Sequence, residues 1–278
     1  MRIGSAYSLL GVRGLLLINP RAGTESPTTE ELRDEAQARG IDAHVLEEGE
    51  DVAQLARDAE VDVLGAAGGD GTVASVAAIA VERGLPVVVV PYGTRNHFAR
   101  DLGLDRDDPL AALAGFEGEE RRVDVGRAGE RQFLNNVSLG LYASLVHRRE
   151  HHRRRRQALA GLRALWLSLR RRPGIWATID GEPVKARIVL VANNAYELSL
   201  FSIGERTRLD EGRLHVYTAN GLLPDAWEES SGERFELDAP GGRLVSALDG
   251  EPVVLETPLE LRIEPGALRV LEPRAPRR

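Results

Sequence analysis

The feature that most constrains the fold is an alternation of short apolar runs with helical segments over the first 120 residues. Four runs are predicted strands, and they read "GLLLINP", "DAHVLEE", "VDVLGAA" and "LPVVVVPYG". Short β-branched runs separated by helices are typical of parallel strands that are covered on both faces of a sheet. The first half of the chain therefore predicts an α/β domain with a parallel sheet.

The predicted helices have recognisable ends. Ser26 can cap the first helix with Pro27 at its first position, and Gly40 ends that helix. Asp51 can cap the second helix, and the third begins in "TVASVAAIAVERG". Ligands of such folds collect beyond the carboxyl ends of the strands. Two glycine loops, at 68–71 and 93–94, are predicted to lie at that edge.

The pattern changes after about residue 122 to short strands and turns. Hairpins are predicted around Gly129 and at Asp180-Gly181. Further turn signals are Gly241-Gly242, Asp249-Gly250 and Pro265-Gly266. We therefore predict an α/β domain at 1–122 and a mostly antiparallel β domain at 123–278, with one helical interruption near 151–171. The last residues are candidates to pack back on the first domain.

The composition excludes several classes of protein. A formal net charge of −7 argues against a nucleic-acid partner. Lys185 is the single lysine and follows no glycine-rich loop, which excludes a Walker A motif, the phosphate-binding lysine of protein kinases and a Schiff base. The absence of cysteine excludes disulfides and thiolate sites, and it fits a cytoplasmic location.

No membrane-spanning or signal segment is expected from the sequence. Arg13 divides the apolar run near the N-terminus, and "INPRAG" does not resemble a small-residue cleavage site. No run of about 18 uninterrupted apolar residues occurs.

The loop "GGDGT" at 68–72 combines three glycines with Asp70 where a strand gives way to a helix. Backbone N–H groups at a helix N-terminus attract anions, and glycines allow close approach. Asp70 opposes an anion unless a cation accompanies it, so a magnesium-complexed polyphosphate suits the loop. Thr72 can cap the helix or donate to a phosphate oxygen. The alternative is a simple turn in which Asp70 is only a helix cap.

Four motifs occur in the order and spacing of one family. They are "NPRAGT" at 19–24, "GGDGT" at 68–72, "PYGTRNHFARDLG" at 91–103 and "FLNNVSLGLYA" at 133–143. The chain resembles the catalytic domain of diacylglycerol kinases and the related soluble bacterial lipid kinases. Sphingosine kinases share this domain, and NAD kinases share the glycine-aspartate loop. The resemblance extends over nearly the whole chain.

The resemblance implies a nucleotide-binding role for the domain at 1–122 and a lipid-substrate role for the domain at 123–278. It also implies ATP and Mg²⁺ as cofactors and assigns residues to them. The residues implied at the nucleotide are Asn19, Gly68, Gly69, Asp70, Gly71, Thr72, Thr94 and Asn96, with the loop from Asn19 to Gly23 lining the same site. In "LDEGRLHVY", Glu211 with Asp210 beside it is the implied ligand of a structural Mg²⁺.

The chain departs from the family pattern at three places. His97 stands where the family commonly has Asp, and Tyr142 stands where an acidic residue is frequent. The second strand has no threonine, which some relatives use to meet the nucleotide.

The tetrapeptide "DGEP" occurs at 180–183 and again at 249–252. Asp-Gly is a good two-residue hairpin turn, and this interpretation accounts for both copies on sequence alone. We keep it for the first copy. The second copy matches the position of the family's proton-accepting residue, which implies Glu251 as the base and Asp249 as a supporting acid. A carboxylate near the acceptor hydroxyl suits phosphoryl transfer.

Arginine and histidine are concentrated in 147–172, where they flank an apolar helical pattern. A basic amphipathic patch on an acidic protein predicts peripheral contact with anionic membrane lipids. The alternative is a solvated helix whose apolar side packs on its own domain. His147, His151 and His152 lie among arginines that repel cations, which argues against a metal site there. The oligomeric state stays open, with a homodimer as one candidate.

These observations lead to a hypothesis with two alternatives. The first is a lipid kinase that moves the γ-phosphoryl group of MgATP to a hydroxyl of a diacylglycerol-like or other long-chain lipid, presented at the inner face of the membrane. Its expected catalytic residues are Glu251, Asp249 and Asp70. The alternatives are an NAD-kinase-like phosphotransferase acting on a soluble alcohol and a non-catalytic nucleotide or lipid sensor.

Overall fold

The computed structural model describes residues 12–23, 26–140, 175–199, 202–203, 205–219 and 227–274. The chain divides into two compact units. The first comprises Met1–Val123 and Gly266–Arg278, and the second comprises Asp124–Pro265.

The first unit is built on the predicted parallel sheet. Its strands are β1 (Gly14–Ile18), β2 (Asp42–Val45), β3 (Val63–Gly68) and β4 (Val87–Pro91). They are parallel and lie in the order β2-β1-β3-β4. A strand from the far end of the chain adds to this sheet, because Val270 pairs with Val87 in parallel. The α/β prediction is confirmed.

Five helices lie between or after these strands in the described part of the unit. They are α1 (Thr29–Ala38), α2 (Val52–Asp58), α3 (Asp70–Arg83), α4 (His97–Asp101) and α5 (Pro109–Ala112), followed by a 3₁₀ turn at Leu113–Glu117. Asp51 caps α2 as predicted, because its side chain accepts from the N–H groups of Ala53 and Gln54.

Two predicted helix ends are corrected. The cap of α1 is Thr28, because its hydroxyl accepts from Glu31 N while the Glu31 carboxylate accepts from Thr28 N. Ser26 cannot make this reciprocal pair, because the residue three positions later is Thr29 rather than a glutamate or glutamine. Helix α3 begins at Asp70 rather than at Thr72, and its cap is Gly69.

Apolar side chains fill both faces of the parallel sheet. On one face Leu16, Ile18 and Val90 pack with Leu32 of α1 and Phe116. Residues alternate in direction along a strand, so Leu17, Leu64 and Val89 point to the other face, toward the apolar side of α3. Each fully buried side chain of this kind contributes about 1.5–3 kcal/mol to stability. Burial on both faces fixes the strand ends and therefore the loops that follow them.

The second unit is mostly antiparallel, as predicted. A six-stranded sheet has the order β14-β13-β10-β7-β16-β17. Its strands are β7 (Asn136–Gly140), β10 (Ile188–Asn193), β13 (Leu214–Ala219), β14 (Trp227–Gly232), β16 (Arg243–Leu248) and β17 (Glu251–Glu256). The remaining strands are β5 (Glu119–Ala128), β6 (Arg131–Phe133), β8 (Ile175–Ile179), β9 (Glu182–Ala186), β11 (Leu198–Ser199), β12 (Ser202–Ile203), β15 (Arg234–Asp238) and β18 (Leu259–Glu272).

The predicted turns at Gly129, Asp180-Gly181 and Asp249-Gly250 are confirmed, and all these residues have positive φ. The turn predicted at Pro265-Gly266 is wrong. These two residues lie inside β18, which continues through Gly266 and leaves the second unit for the first. Among the described residues, no helix has both the length and the apolar character needed to cross a membrane.

Candidate functional site

The N-terminus of α3 is an open helix end that follows the buried strand β3. Gly69 caps α3 without any side-chain hydrogen bond, so the first N–H groups of the helix have no side-chain acceptor at the cap. A Cβ built at Gly69 meets no atom within 4 Å, whereas one built at Gly68 lies 2.7 Å from Thr72 Cβ. Gly68 is therefore required by packing, while Gly69 leaves space in front of the helix for an anion.

The second glycine loop, which follows β4, touches the first. Tyr92 N donates to Gly68 O at 3.3 Å. A Cβ at Gly93 would stand 2.6 Å from Gly69 Cα and 2.8 Å from Gly69 N. Only glycine at position 93 lets the two backbones approach this closely. The carboxyl ends of β3 and β4 thus bring both sequence motifs to one place.

Asn96 holds the second loop in shape. It has a left-handed backbone (φ 48°), is buried, and its Nδ2 donates to Gly93 O at 2.7 Å. Its Oδ1 is buried and has no hydrogen-bond partner. A buried polar atom without a partner costs free energy, so this acceptor suits a donor from a ligand. Thr94, two residues earlier, is exposed.

Asp70 connects the two loops. Its Oδ1 accepts a hydrogen bond from Phe98 N at 3.1 Å, in the first turn of α4. Asp70 therefore does not cap its own helix, whose cap is Gly69. Partial burial lowers the pKa of the neighbouring His97 imidazole, and the Asp70 charge opposes that shift.

Asn19 holds the loop after β1 at the same carboxyl edge of the sheet. Its Nδ2 donates to Thr72 Oγ1 at 3.0 Å, and its backbone N–H donates to Ala67 O at 2.8 Å. The side-chain Oδ1 of Asn19 accepts from Arg21 N. All eight residues predicted at the nucleotide therefore follow β1, β3 or β4 and lie at the carboxyl edge of one sheet. The open N–H groups and the space at Gly69 fit a polyphosphate.

In the second unit, Asp249 is held by three consecutive backbone N–H groups. Leu134 N donates to Oδ2 at 2.7 Å, while Asn135 N and Asn136 N donate to Oδ1 at 2.7 and 3.0 Å. Burial raises the pKa of Asp249 to about 6, although these three donors and the charge of Arg206 favour the ionised form.

Glu251 has a different environment from Asp249. It is exposed at the start of β17, where it pairs with Leu248 across the turn. The first copy of the tetrapeptide has the same turn, with φ of 52° at Asp180 and 48° at Asp249. Asp180 accepts one backbone hydrogen bond, from Glu236 N at 2.7 Å, in an exposed setting. The two copies therefore share a backbone shape and differ in burial.

The predicted Mg²⁺ ligands both have protein partners. Asp210 is exposed and pairs with Arg208 at 3.2 Å. Glu211 Oε2 accepts from Ala195 N and lies 3.1 Å from His215 Nε2. Within the described ranges, no three His, Cys, Asp or Glu side chains form a group that could hold a metal ion. The geometry therefore gives these two residues no support as metal ligands, and that site stays a prediction.

Sequence reasoning missed three buried polar residues of the second unit. Asp124 Oδ2 accepts from Gly212 N at 2.7 Å and so holds the acidic turn. His215 lies between Glu211 and Glu229, with Nδ1 2.7 Å from the Glu229 carboxylate. Arg206 is buried near Asp249. Asp124 and His215 alternate with apolar residues in strands, and no pattern marks Arg206.

A sequence profile of the diacylglycerol kinase catalytic domain matches residues 13–128. The resemblance to the diacylglycerol kinase catalytic domain is therefore confirmed for these residues. The match includes both glycine loops, Asp70 and Asn19. The prediction that the chain is an enzyme of the kinase class is confirmed with it.

Individual proteins match a larger part of the chain than this profile does. A Klebsiella pneumoniae (strain 342) protein named "Probable lipid kinase YegS-like" is 27% identical over 286 residues, covering 92% of this chain and 94% of that protein. A diacylglycerol kinase of Staphylococcus saprophyticus is 35% identical over 137 residues, covering 46% and 45%. The crystal structure of a diacylglycerol kinase from Bacillus anthracis str. Sterne has a TM-score of 0.67 at 18% identity, covering 94% and 96%. This last likeness shows that the fold extends beyond the matched domain.

Two further predictions concern residues outside the described part of the chain. Tyr142 and the basic stretch 147–172 lie there. His97 is described, and its pKa is lowered. At that position the chain therefore lacks the negative charge that an aspartate would supply to the nucleotide edge.

Proposed function

We propose that the protein is a lipid kinase that transfers the γ-phosphoryl group of MgATP to a hydroxyl of a diacylglycerol-like or other long-chain lipid. The observation that carries the proposal is the junction of the two glycine loops at Asp70, in a domain of the diacylglycerol kinase family. The names of the relatives, lipid kinase and diacylglycerol kinase, support the lipid acceptor.

The nucleotide side of the reaction is assigned to the first unit. The N–H groups at the start of α3 would bind phosphate oxygens, and Gly69 keeps the space in front of them open. Asp70 would face the Mg²⁺ that accompanies the phosphates, and its bond to Phe98 N fixes its orientation. MgATP supplies the phosphoryl group, and these residues orient it and screen its charge.

The acceptor side is assigned to Asp249, with Glu251 in support. An ionised carboxylate has about four lone-pair sites, and three of those on Asp249 accept backbone N–H groups. Oδ2 accepts a single N–H, so it retains a lone pair for the proton of a lipid hydroxyl. A base works best when its pKa lies near the working pH, and burial raises the pKa of Asp249 to about 6. These points favour Asp249 as the base and Glu251 as the supporting residue, which reverses the roles that the resemblance implied.

We also propose that the basic stretch 147–172 brings the enzyme to anionic membrane surfaces. Each basic residue near such a surface contributes about 1 kcal/mol. The proposal is supported by the arginine content of this stretch in an otherwise acidic chain.

The experiment is phosphorylation of a lipid panel with γ-labelled ATP. Purified full-length protein is incubated with Mg²⁺ and vesicles that contain diacylglycerol, sphingoid bases or phosphatidylglycerol. Labelled lipid is expected. Label on a soluble alcohol alone would favour an NAD-kinase-like enzyme, and nucleotide binding without transfer would favour a sensor; either result would overturn the lipid kinase proposal.

A further inference from the structure

The segment Leu134–Asn136 has two hydrogen-bonding sides. Its three N–H groups converge on Asp249, as described above. Two of its carbonyl groups bond to Asn193: Leu134 O accepts from Asn193 Nδ2 at 2.9 Å, and Asn135 O accepts from Asn193 N at 3.0 Å. The third, Asn136 O, accepts from the backbone N–H of Asp249 at 2.9 Å. The bonds to Leu134 O and Asn135 O therefore help to orient the N–H groups that hold Asp249.

Arg206 is the charged group on that carbonyl side. Its guanidinium is buried, with the residue 2% exposed. Nη1 donates to Leu134 O at 2.6 Å and to Asn193 O at 3.0 Å, and Nη2 donates to Asn135 Oδ1 at 2.7 Å. The ring of Tyr196 lies 5.5 Å from the guanidinium carbon.

One peptide unit joins the arginine to the aspartate. Leu134 O accepts from Arg206, and the N–H of the same peptide, on Asn135, donates to Asp249 Oδ1. A positive charge at the oxygen of a peptide polarises it and strengthens the bond that its N–H donates. A buried carboxylate is costly unless it is paired and hydrogen-bonded, and this arrangement supplies both a charge and donors.

We propose that Arg206 is a positioning residue for Asp249: it orients the Leu134–Asn136 N–H groups and keeps the buried carboxylate ionised. The catalytic role assigned to Asp249 rests on the proposed function. The kcat measurement below therefore depends on that function, whereas the titration of Asp249 does not. Arg206 does not itself touch the substrate in this scheme; it acts through the peptide.

Electrostatics agree with this geometry. The positive charge of Arg206 lowers the pKa of Asp249 against the larger effect of burial. Glu251, two residues along the chain from Asp249, is exposed, whereas Arg206 is buried. The three backbone N–H groups lower the pKa more than the Arg206 charge does. Removal of Arg206 should therefore raise the pKa further, by about one unit, through the lost charge and through less well oriented N–H donors.

The test compares Arg206→Lys, which keeps the charge, with Arg206→Gln, which keeps a donor but not the charge. Arg213→Ala is the control, since Arg213 is exposed and its Nη2 donates to Ser231 O at 3.4 Å. The Asp249 carboxyl is followed by ¹³C NMR across pH 4–9 in the full-length protein, and kcat is measured over the same range.

We expect the Asp249 midpoint, near pH 6 in the wild type, to rise by about one unit in Arg206→Gln and to change little in Arg206→Lys and Arg213→Ala. The ionised fraction, and kcat with it, then falls about tenfold at pH 5 in Arg206→Gln and recovers near pH 9. A purely structural role would lower kcat equally at every pH and leave the midpoint unchanged, which would overturn the proposal.

A second measurement needs no variant. In the wild type, the Arg206 guanidinium resonances and the amide protons of residues 134–136 should shift with the same midpoint as Asp249. If the Arg206 resonances did not shift at the Asp249 midpoint, the proposal would be overturned, even if both variants failed to fold. If no lipid is phosphorylated, the titrations still decide the inference, so its failure and that of the proposed function remain distinguishable.

Discussion

The Asp70 carboxylate lies 3.1 Å from the backbone nitrogen of Phe98 and accepts its hydrogen bond. The bond joins the "GGDGT" loop to the first turn of the helix that follows "GTRN". It gives the aspartate a structural task in addition to any contact with a metal ion. The two tasks can be separated, because one needs an acceptor oxygen and the other needs a negative charge.

Asp70→Asn should separate them. Asparagine can still accept from Phe98 N, so we expect the free energy of unfolding to change by less than about 1 kcal/mol. The lost charge should lower kcat about 100-fold, because the metal-bound phosphates are no longer well placed. Denaturant unfolding and lipid phosphorylation assays check both halves. Unchanged turnover would remove Asp70 from the catalytic set.

Gly69 and Gly93 offer a matched pair of substitutions. Gly69→Ala places a methyl group where no protein atom lies within 4 Å, so the fold should be unaffected while ATP affinity falls about tenfold. Gly93→Ala drives a methyl group into the Gly69 backbone and should cost about 1–3 kcal/mol of stability. Calorimetric ATP titration and thermal unfolding distinguish them. If Gly69→Ala bound ATP as the wild type does, phosphates would not lie against this helix end.

The rate of phosphorylation should depend on pH through Asp249. Burial raises its pKa to about 6, so the base is ionised above that pH and protonated below it. We expect kcat to be level above pH 7 and to fall about tenfold per unit below pH 5. A kcat profile measured at saturating ATP and lipid checks this expectation.

Asp249→Asn should remove that dependence and lower kcat by about 100-fold or more. Asp180→Asn is its control, since it changes the same tetrapeptide in the same type of turn at an exposed position. Its kcat should stay within about twofold of the wild type, as is usual for exposed substitutions. Equal losses in the two variants would point to the turn rather than to the carboxylate.

Thr28→Ala should destabilise the first unit by about 1 kcal/mol, because it removes one half of the capping box of α1. Thr28→Ser keeps the hydroxyl and should retain most of that free energy. Denaturant midpoints of the two variants measure the difference. Identical midpoints would mean that Glu31 alone is sufficient for the cap.

The sequence could predict the site in the first unit because its parts are local. The strand ends, the glycines and Asp70 are each marked by short motifs, and the parallel topology brings them to one edge. It could not predict that Asp70 would bond to Phe98, since that contact depends on how two loops pack 28 residues apart.

The second unit shows the opposite case. "DGEP" at 180–183 and at 249–252 gives the same turn, and sequence alone cannot say which of the two aspartates is the less exposed. Burial of Asp249 comes from residues 113 to 115 positions away, and Arg206 carries no motif at all. Ser26 was a plausible cap by residue type, yet Thr28 has the glutamate at the right spacing.

The path of β18 has a consequence for synthesis of the protein. Val270 pairs with Val87 at the edge of the parallel sheet. This edge of β4 therefore stays unpaired until about 180 more residues have been synthesised. An unpaired sheet edge readily joins other strands, and nascent chains are most exposed to such errors. The first unit, although most of it is translated first, is therefore completed last.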